Sequence, residues 1–363
     1  MSFLLPVGDT VLVDDGLIAL TVDLVEADKV HTTIRNSGWL STHKGVNLPG
    51  AKIDLPAVTE RDKADIAFGV RNRVDFIAAS FIRSAANVEE IRNLPGVRDA
   101  NIKIISKIES AEGVQNFIEI LRVSDGIMVA RGDLAVEIPL EKVPAAQKMM
   151  IRHCNQVGKI VITATQMMES MTNNPRPTRA EVTDVANAVF DGTDCVMLSG
   201  ESANGKYPSQ TVETMMRICR EAEKSLNYRS LYKYAREGVE PPISQGESIA
   251  SSTVKTAWDI QARLILGLTE SGRTAHLISK YRPNCPVLCV ATSEQVARQC
   301  LLFRSLFPFL LPMAEHNQLK IEHAIEFAKR ENFIAKGDLV VVTSGVISGN
   351  SGGTNTLSVE SVN

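Results

Sequence analysis

The sequence lacks the features that mark several common classes of protein. Its 39 lysines and arginines nearly balance 42 aspartates and glutamates, so no broad positive field is available to hold nucleic acid or an anionic membrane. No apolar run approaches the roughly 18 residues of a membrane span, because Pro308 and Pro312 interrupt the most apolar stretch. None of the six cysteines forms a Cys-x-x-Cys pair, which favours reduced thiols in a cytoplasmic protein. We therefore expect a small-molecule partner, with no nucleic acid and no membrane.

What the sequence does contain is two kinds of hydrophobic pattern. Residues 7–50 alternate apolar and polar side chains between turn residues, which predicts a small module of short antiparallel strands. Beyond residue 70, short apolar runs alternate with amphipathic segments, and the runs occupy residues 74–79, 102–108, 126–130, 160–164 and 195–198. This alternation predicts parallel strands with helical crossovers, arranged as part of a (β/α) barrel.

The chain is long enough for two or three domains at roughly 150 residues each. Residues 225–246 are polar and contain Pro241-Pro242, which indicates a domain boundary, and strand and helix patterns alternate again beyond them. That second alternation predicts a separate open α/β domain. The predicted fold class is α/β, with a β module at 1–50, a partial barrel at 51–228 and the open α/β domain at 229–363.

Reactive side chains follow the predicted barrel strands, where such barrels place their active sites. The strand ends carry Ser80, Lys107 and Glu109, Arg131-Gly132-Asp133, Thr165, and Ser199 with Glu201. Lys107 and Glu109 are two residues apart on one strand and therefore point the same way. Glu109 and Asp133, from adjacent strands, suit a hard cation such as Mg²⁺ or Mn²⁺, and Lys107 would stabilise a developing oxyanion. Backbone amides at Gly132 and Asp133 could hold a carboxylate or phosphate, although Asp133 could instead be a helix N-cap.

Several motifs together resemble the pyruvate kinase family in order and spacing. They are Lys44-Gly-Val-Asn-Leu-Pro-Gly50, Ala79-Ser-Phe-Ile-Arg83, Ile104-Ile-Ser-Lys-Ile-Glu109, Gly126-Ile-Met-Val-Ala-Arg-Gly-Asp-Leu134, Ala164-Thr-Gln-Met-Met-Glu-Ser-Met171, Pro175-Arg-Pro-Thr-Arg-Ala-Glu181, Leu198-Ser-Gly-Glu201 and Asn355-Thr356. The resemblance covers almost the whole chain from about Gly8. It implies phosphoryl transfer from phosphoenolpyruvate to ADP, giving pyruvate and ATP, with Mg²⁺ or Mn²⁺ and K⁺ as cofactors and a homo-oligomer, a tetramer in the family.

The resemblance also implies roles for individual residues of this chain. Lys107, Thr165, Ser199 and Glu201 would be catalytic, with Ser199 and Glu201 in proton transfer. Ser80, Arg131, Gly132, Asp133 and Thr165 would bind phosphoenolpyruvate, and Glu109 and Asp133 would hold the divalent metal. In the β module, which matches the family's lid, Lys44 and Asp15 would contact the nucleotide.

Two departures from the family pattern lead to further expectations. The family's first three barrel strands precede the lid and carry phosphate and K⁺ contacts, whereas this chain starts within the lid, so its strands correspond to strands 4–8. We therefore expect a truncated chain with little turnover of its own and a tendency to associate. In the last domain, Thr269, Ser271, Gly272, Arg273 and Thr274 match an effector-phosphate loop, but Glu270 within it would repel a phosphate.

Two other functions remain open on the residues alone. A barrel with a lysine, two carboxylates and Mg²⁺ also suits a metal-dependent lyase or aldolase acting through an enolate. The chain could also be a non-catalytic subunit that binds ligands or full-length partners without turnover.

Overall fold

The computed structural model describes residues 5–51, 56–311, 316–345 and 353–363. The chain divides into two compact units. The first comprises Met1–Ile151, Val161–Asp191 and Val196–Ile218, and the second comprises Arg152–Ile160, Gly192–Cys195 and Cys219–Asn363. Within the described ranges, no helix is both long and apolar enough to cross a membrane. The domain boundaries predicted at residues 50 and 228 stay predictions.

The first unit opens with a small antiparallel sheet, as the alternating pattern predicts. Its strands are β1 (Thr10–Val13), β2 (Ile18–Val25), β3 (Val30–Ile34) and β4 (Val46–Asn47), in the order β3-β2-β1-β4. The turn between β1 and β2 is left-handed at Asp14, Asp15 and Gly16, with φ of 55°, 53° and 85°. A Cβ at Gly16 would come within 3.0 Å of Val136 Cγ1, so this turn needs glycine for both conformation and space.

A parallel sheet forms the main part of the first unit. Its strands are β5 (Phe76–Ala79), β6 (Lys103–Ile108), β7 (Gly126–Ala130), β8 (Ile160–Ala164) and β9 (Cys195–Val196), in that order across the sheet. The helices along this stretch of chain are α1 (Glu60–Arg71), α2 (Ala85–Arg92), α3 (Ala111–Gln115), α4 (Phe117–Val123), α5 (Arg131–Glu137), α6 (Val143–Val157), α7 (Arg179–Asp191), α8 (Gly200–Ala203) and α9 (Pro208–Lys224). Every residue of β7 and β8 is buried, as is typical of parallel strands that are covered on both faces.

The second unit contains the predicted open α/β sheet. Its strands are β10 (Leu264–Thr269), β11 (Val287–Ala291), β12 (Leu306–Leu310), β13 (Leu339–Gly345) and β14 (Thr354–Ser361), in the order β12-β11-β10-β13-β14 with β14 antiparallel. Its helices are α10 (Tyr228–Glu237), α11 (Gln245–Asp259), α12 (Arg273–Lys280), α13 (Glu294–Cys300) and α14 (Asn317–Arg330). Separate hydrophobic clusters contain alternate residues of β10, such as Ile265 in one and Leu266 in the other. The α/β fold class is therefore confirmed.

Two elements differ from the sequence-based interpretation. Helix α10 lies inside the polar stretch that suggested a domain boundary, because its polar residues alternate with Tyr232 and Ala235, which pack on the core. Strand β12 contains Pro308, which the pattern treats as an interruption. The proline is tolerated because β12 is the edge strand of the described sheet, where a missing N–H costs little.

Arg282 ties together distant stretches of the second unit. Its side chain is 7% exposed, and the guanidinium donates to Asp194 Oδ1 and Asn155 Oδ1 at 2.5 Å each. It also donates to the Gly192 carbonyl at 3.0 Å. A buried cation needs such partners, because an uncompensated buried charge is strongly destabilising.

Candidate active site

Lys107 and Glu109 meet at the carboxyl end of β6, as their spacing predicts. Lys107 Nζ lies 2.6 Å from Glu109 Oε1 and donates a 2.8 Å hydrogen bond to Ser80 Oγ at the end of β5. The backbone N–H of Phe81 donates to Glu109 Oε2 at 2.6 Å. The structure therefore brings Ser80, Lys107 and Glu109 into one cluster.

Glu109 is fully buried within this cluster. Burial raises the pKa of its carboxyl above the ordinary value, and the Asp133 charge raises it further, while Lys107 and the Phe81 N–H oppose the shift. The partner of the buried Oε1 is the Lys107 ammonium. A buried carboxylate that is electrostatically coupled to a second carboxylate is the kind of oxygen ligand that a hard cation prefers.

Gly132 and Thr165 join the next two strand ends. The Gly132 N–H donates to Thr165 Oγ1 at 2.7 Å, and Thr165 Oγ1 donates to the Ala164 carbonyl at 2.6 Å. A substrate carboxylate bound at the Gly132 amide would therefore have to displace the Thr165 hydroxyl. Helix α5 begins at Arg131 with Ala130 as its N-cap, so the alternative in which Asp133 is the N-cap is wrong.

Arg131 holds the turn that follows β8 through hydrogen bonds to its backbone carbonyls. Its guanidinium donates to both carboxylate oxygens of Asp184 at 2.7 Å each, to the Thr165 carbonyl at 2.8 Å and to the Ala164 carbonyl at 3.3 Å. Thr165 and Gln166 have φ of 69° and 53°, a strained conformation for residues with a side chain. The substrate contact predicted for Arg131 stays a prediction; in this structure Arg131 fixes Thr165.

Glu201 is held rigidly next to Ser199. It is fully buried, and its two oxygens accept hydrogen bonds from the backbone N–H groups of Met168, at 3.0 Å, and Ser199, at 2.8 Å. The Ser199 hydroxyl lies 3.4 Å from Glu201 Oε2. A hydroxyl in contact with a buried carboxylate can exchange a proton with it, which suits the predicted proton transfer.

The lid residues predicted to bind nucleotide lie close together. Lys44 Nζ lies 2.7 Å from Asp14 Oδ1. The hydrogen bond that Lys44 donates to Asp14, together with the negative charges of Asp14 and Asp15, raises the pKa of Lys44. Asn47 of β4 donates to Glu137 Oε1 of α5 at 3.3 Å, so the lid sheet contacts the helix that carries Asp133.

The predicted effector loop connects β10 to α12. Gly272 is the N-cap of α12, with a φ of 82°, and Thr274 Oγ1 contacts Thr354 Oγ1 of β14. Glu270 accepts a 2.6 Å hydrogen bond from Thr292 and forms a 3.6 Å ion pair with Lys320. The loop therefore contains a neutralised carboxylate, which weakens the repulsion expected from Glu270 but leaves the effector assignment a prediction.

Sequence reasoning missed two acidic residues of this region. Asp184 of α7 is the ion-pair partner of Arg131. The two residues are 53 positions apart, so no local sequence pattern indicates that they pair. Glu169 follows the strained turn, and burial together with the charges of Glu201 and Glu181 raises its pKa. Within the part of the chain that the structure describes, no three His, Cys, Asp or Glu side chains form a group that could hold a metal by themselves.

Comparison with known proteins agrees with this geometry. The family model described as pyruvate kinase, barrel domain, matches residues 3–212, and that described as pyruvate kinase, alpha/beta domain, matches residues 247–360. Curated relatives called pyruvate kinase include that of Dictyostelium discoideum, which is 51% identical over 98% of this chain and 71% of the relative. That of Clostridium acetobutylicum is 48% identical over 98% of this chain and 75% of the relative. That of Geobacillus stearothermophilus is 47% identical over 97% of this chain and 60% of the relative. The chain thus spans between 60% and 75% of the length of these three relatives.

The parallel sheet, with a lysine and carboxylates at adjacent strand ends and a small β module that contacts helix α5, defines an enzyme of the barrel class. The matches place it more narrowly: the chain belongs to the pyruvate kinase family, a family of phosphotransferases that act in glycolysis. The family generally uses Mg²⁺ and K⁺, with phosphoenolpyruvate and ADP as substrates.

Proposed function

We propose that this protein transfers the phosphoryl group of phosphoenolpyruvate to ADP, giving ATP and, after protonation at carbon, pyruvate. The observation that carries the proposal is the cluster of Lys107, Glu109 and Ser80, in which a lysine ammonium lies 2.6 Å from a fully buried carboxylate. Phosphoryl transfer depends mainly on positioning and on electrostatic stabilisation of oxygen charge. A fixed ammonium between a hydroxyl and a carboxylate provides both.

Glu109 and Asp133 are the residues that would hold the divalent cation, Mg²⁺ or Mn²⁺. Two carboxylates suffice, because Mg²⁺ usually takes one or two from the protein and completes its coordination with water and substrate oxygens. When bound, the cation neutralises charge on the transferring phosphoryl group. The K⁺ ion of the family has no ligand among the residues that we assign.

Several chain groups would orient the substrates. Lys107 and Ser80 would contact the phosphoryl oxygens, and the backbone of Gly132 and Asp133 would receive the substrate carboxylate. Thr165, which accepts the Gly132 N–H at 2.7 Å, would then rotate to face the carbon that becomes the methyl group of pyruvate. Arg131 contributes by fixing the Thr165 backbone.

Ser199 and Glu201 would supply the proton that converts enolpyruvate to pyruvate. Their 3.4 Å contact and the complete burial of Glu201 support a proton relay shielded from bulk water. Lys44 and Asp15 of the lid would contact the nucleotide phosphates. We also propose a cytoplasmic location and a homo-oligomer, a tetramer by analogy with the family.

A coupled assay for pyruvate formation tests the proposal directly. Lys107→Met should lower kcat by roughly 10²–10³, the usual effect of removing one preorganised donor, with little change in KM. The matched control is Lys103→Met at the opposite end of β6, whose ammonium bonds Asn101 instead of the cluster, and it should keep its activity. A loss confined to KM for Lys107→Met would contradict the transition-state role.

The comparisons support neither the expected loss of turnover nor the two alternative functions. The same assay still separates the three. Release of a carbonyl product without ATP would indicate a lyase or aldolase. Ligand binding without either product, combined with activity after addition of a full-length partner, would indicate a non-catalytic subunit.

A further inference from the structure

The proposed reaction takes up one proton at carbon in every turnover, and that proton has to enter the site from solvent. Glu201, which would pass it to Ser199, is fully buried. Its two oxygens accept the backbone N–H groups of Met168 and Ser199. Once Glu201 has given its proton away, it therefore needs a second acid that solvent can reach.

Glu169 lies where such an acid is needed. It directly follows Met168, whose N–H donates to Glu201 Oε1 at 3.0 Å. A Cβ built on Gly200, which joins Ser199 to Glu201, would lie 4.0 Å from Glu169 Oε1. Apart from its own helix and chain neighbours, no other described atom comes within 4 Å of that Cβ position. The carboxyl group of Glu169 therefore faces this turn across a space in which a water molecule can bridge polar groups.

The surroundings of Glu169 favour its protonated form. The side chain is exposed to solvent, but the protein atoms packed on its other side raise its pKa by desolvation, and the charges of Glu201 and Glu181 raise the pKa further. No cation among the described residues offsets these contributions. Near neutral pH, Glu169 therefore carries a proton for a larger share of the time than an ordinary glutamate does, which suits a proton donor.

Glu181, the other carboxylate beside Glu169, is held in its charged form. It accepts the N–H and the hydroxyl of Ser170 at 2.7 and 2.6 Å, and the N–H of Thr178 at 2.7 Å. Burial raises the pKa of Glu181, but these hydrogen bonds outweigh burial and leave the pKa below its ordinary value. Glu181 is therefore a fixed negative charge that favours a proton on Glu169.

We propose that Glu169 takes up a proton from solvent and passes it through a bridging water molecule to Glu201, which passes it by way of Ser199 to the enolate of pyruvate. In each transfer one O–H bond breaks as the next forms. In the last transfer the electron pair of the enolate double bond forms the C–H bond, and the enolate oxygen becomes the ketone. Glu169 is left as a carboxylate and regains its proton from solvent. It does not touch the substrate, and this inference rests on the proposed function.

Glu169→Gln removes the acid and keeps the size of the side chain. In a single turnover stopped by rapid quenching, ATP formation precedes protonation and should stay within about twofold of the parent. Exchange of the methyl protons of pyruvate with deuterium oxide, followed by NMR with Mg²⁺ and K⁺ present, runs the relay in reverse. In dilute buffer this exchange should slow about tenfold, less than the 10²–10⁴ expected for a group that touches the substrate.

Rescue by a small acid separates a proton relay from a structural role. Imidazole buffer added at constant pH should restore exchange in Glu169→Gln and leave the parent unchanged, because a diffusing acid can replace the missing carboxyl group. Glu169→Asp keeps a carboxyl group and should recover part of the rate without imidazole. The matched control is Glu119→Gln, which makes the same charge change at an exposed position of α4 and should behave as the parent.

The two assays distinguish this inference from the proposed function. A parent chain that forms no ATP in the quench experiment would contradict the proposed function, whereas the exchange assay needs no phosphoryl transfer. The relay would be wrong if the parent did not exchange the methyl protons, if Glu169→Gln exchanged them as fast as the parent, or if the slower exchange did not respond to imidazole.

Discussion

The contact between Arg131 and Asp184 allows a quantitative prediction, because its geometry is close to ideal. Both guanidinium N–H donors lie 2.7 Å from the carboxylate oxygens, and a third donor binds the Thr165 carbonyl at 2.8 Å. The Arg131 side chain is 14% exposed and that of Asp184 is 35% exposed. This pair is therefore intermediate between a surface ion pair and a buried one.

Its contribution can be bracketed from that exposure. Truncating one partner of a fully buried pair costs about 3–5 kcal/mol, whereas an exposed pair contributes about 0–1 kcal/mol. For Arg131→Met we expect a loss of about 2–3 kcal/mol in the free energy of unfolding of the first unit. Asp184→Asn keeps an acceptor oxygen and should lose about 1–2 kcal/mol. Since Asp184 acts through Arg131, the double variant should be little worse than Arg131→Met.

Urea unfolding followed by circular dichroism measures these differences. Arg179→Met is the matched control, since Arg179 is an exposed arginine in the first turn of the helix that carries Asp184; it should stay within about 0.5 kcal/mol of the parent. The reasoning would be refuted if Arg131→Met cost no more than this control. It would also be refuted if the two single losses added in the double variant, because additive losses mean that the residues are not coupled.

Three further predictions concern a cap, a strained turn and the predicted effector loop. Thr59→Ala should cost about 1 kcal/mol at pH 7. Hydrogen bonds from Thr59 lower the pKa of Asp62, so in urea titrations the difference should be largest above the ordinary Asp pKa and should decrease as pH falls through the lowered one. The part that remains at low pH is the hydrogen bond from the Asp62 backbone N–H to Thr59 Oγ1. Gln166→Gly should stabilise the chain by about 0.5–1 kcal/mol, because glycine adopts a φ of 53° without strain. The control, Gln210→Gly, lies in helix α9 and should destabilise the chain. If both substitutions changed the free energy of unfolding in the same direction, the backbone at Gln166 would not be strained. Glu270→Gln should tighten fructose 1,6-bisphosphate binding in calorimetry by removing a negative charge from the loop, and unchanged binding would argue against an anion site there.

The strands could be predicted well where burial determines them. The apolar runs at 126–130 and 160–164 coincide with β7 and β8. Each of these signals lies within a few residues of chain, so a single sequence is enough to detect it.

The rest of the candidate site depends on contacts that have no local signal. Thr165 and Gln166 are ordinary residues in left-handed conformations, and their strain is offset by Arg131, which lies more than 30 residues earlier. The neutralisation of Glu270 requires Lys320 of α14, 50 positions away. Periodicity predicts which faces are buried, but it does not predict which charged side chains meet once the elements have packed.

The contacts of Arg282 have a consequence for the order in which the chain is made. Asn155 precedes Arg282 by 127 residues and Asp194 precedes it by 88. At a synthesis rate of about 5–20 residues per second, Asn155 leaves the ribosome roughly 6–25 seconds before its partner exists. During that time Arg152–Ile160 and Gly192–Cys195 are without the cation that joins them in the finished protein. Final folding of these stretches must therefore wait until Arg282 has been synthesised. Slowing translation between residues 195 and 282 should lengthen the period during which a protease added to stalled chains can cleave them.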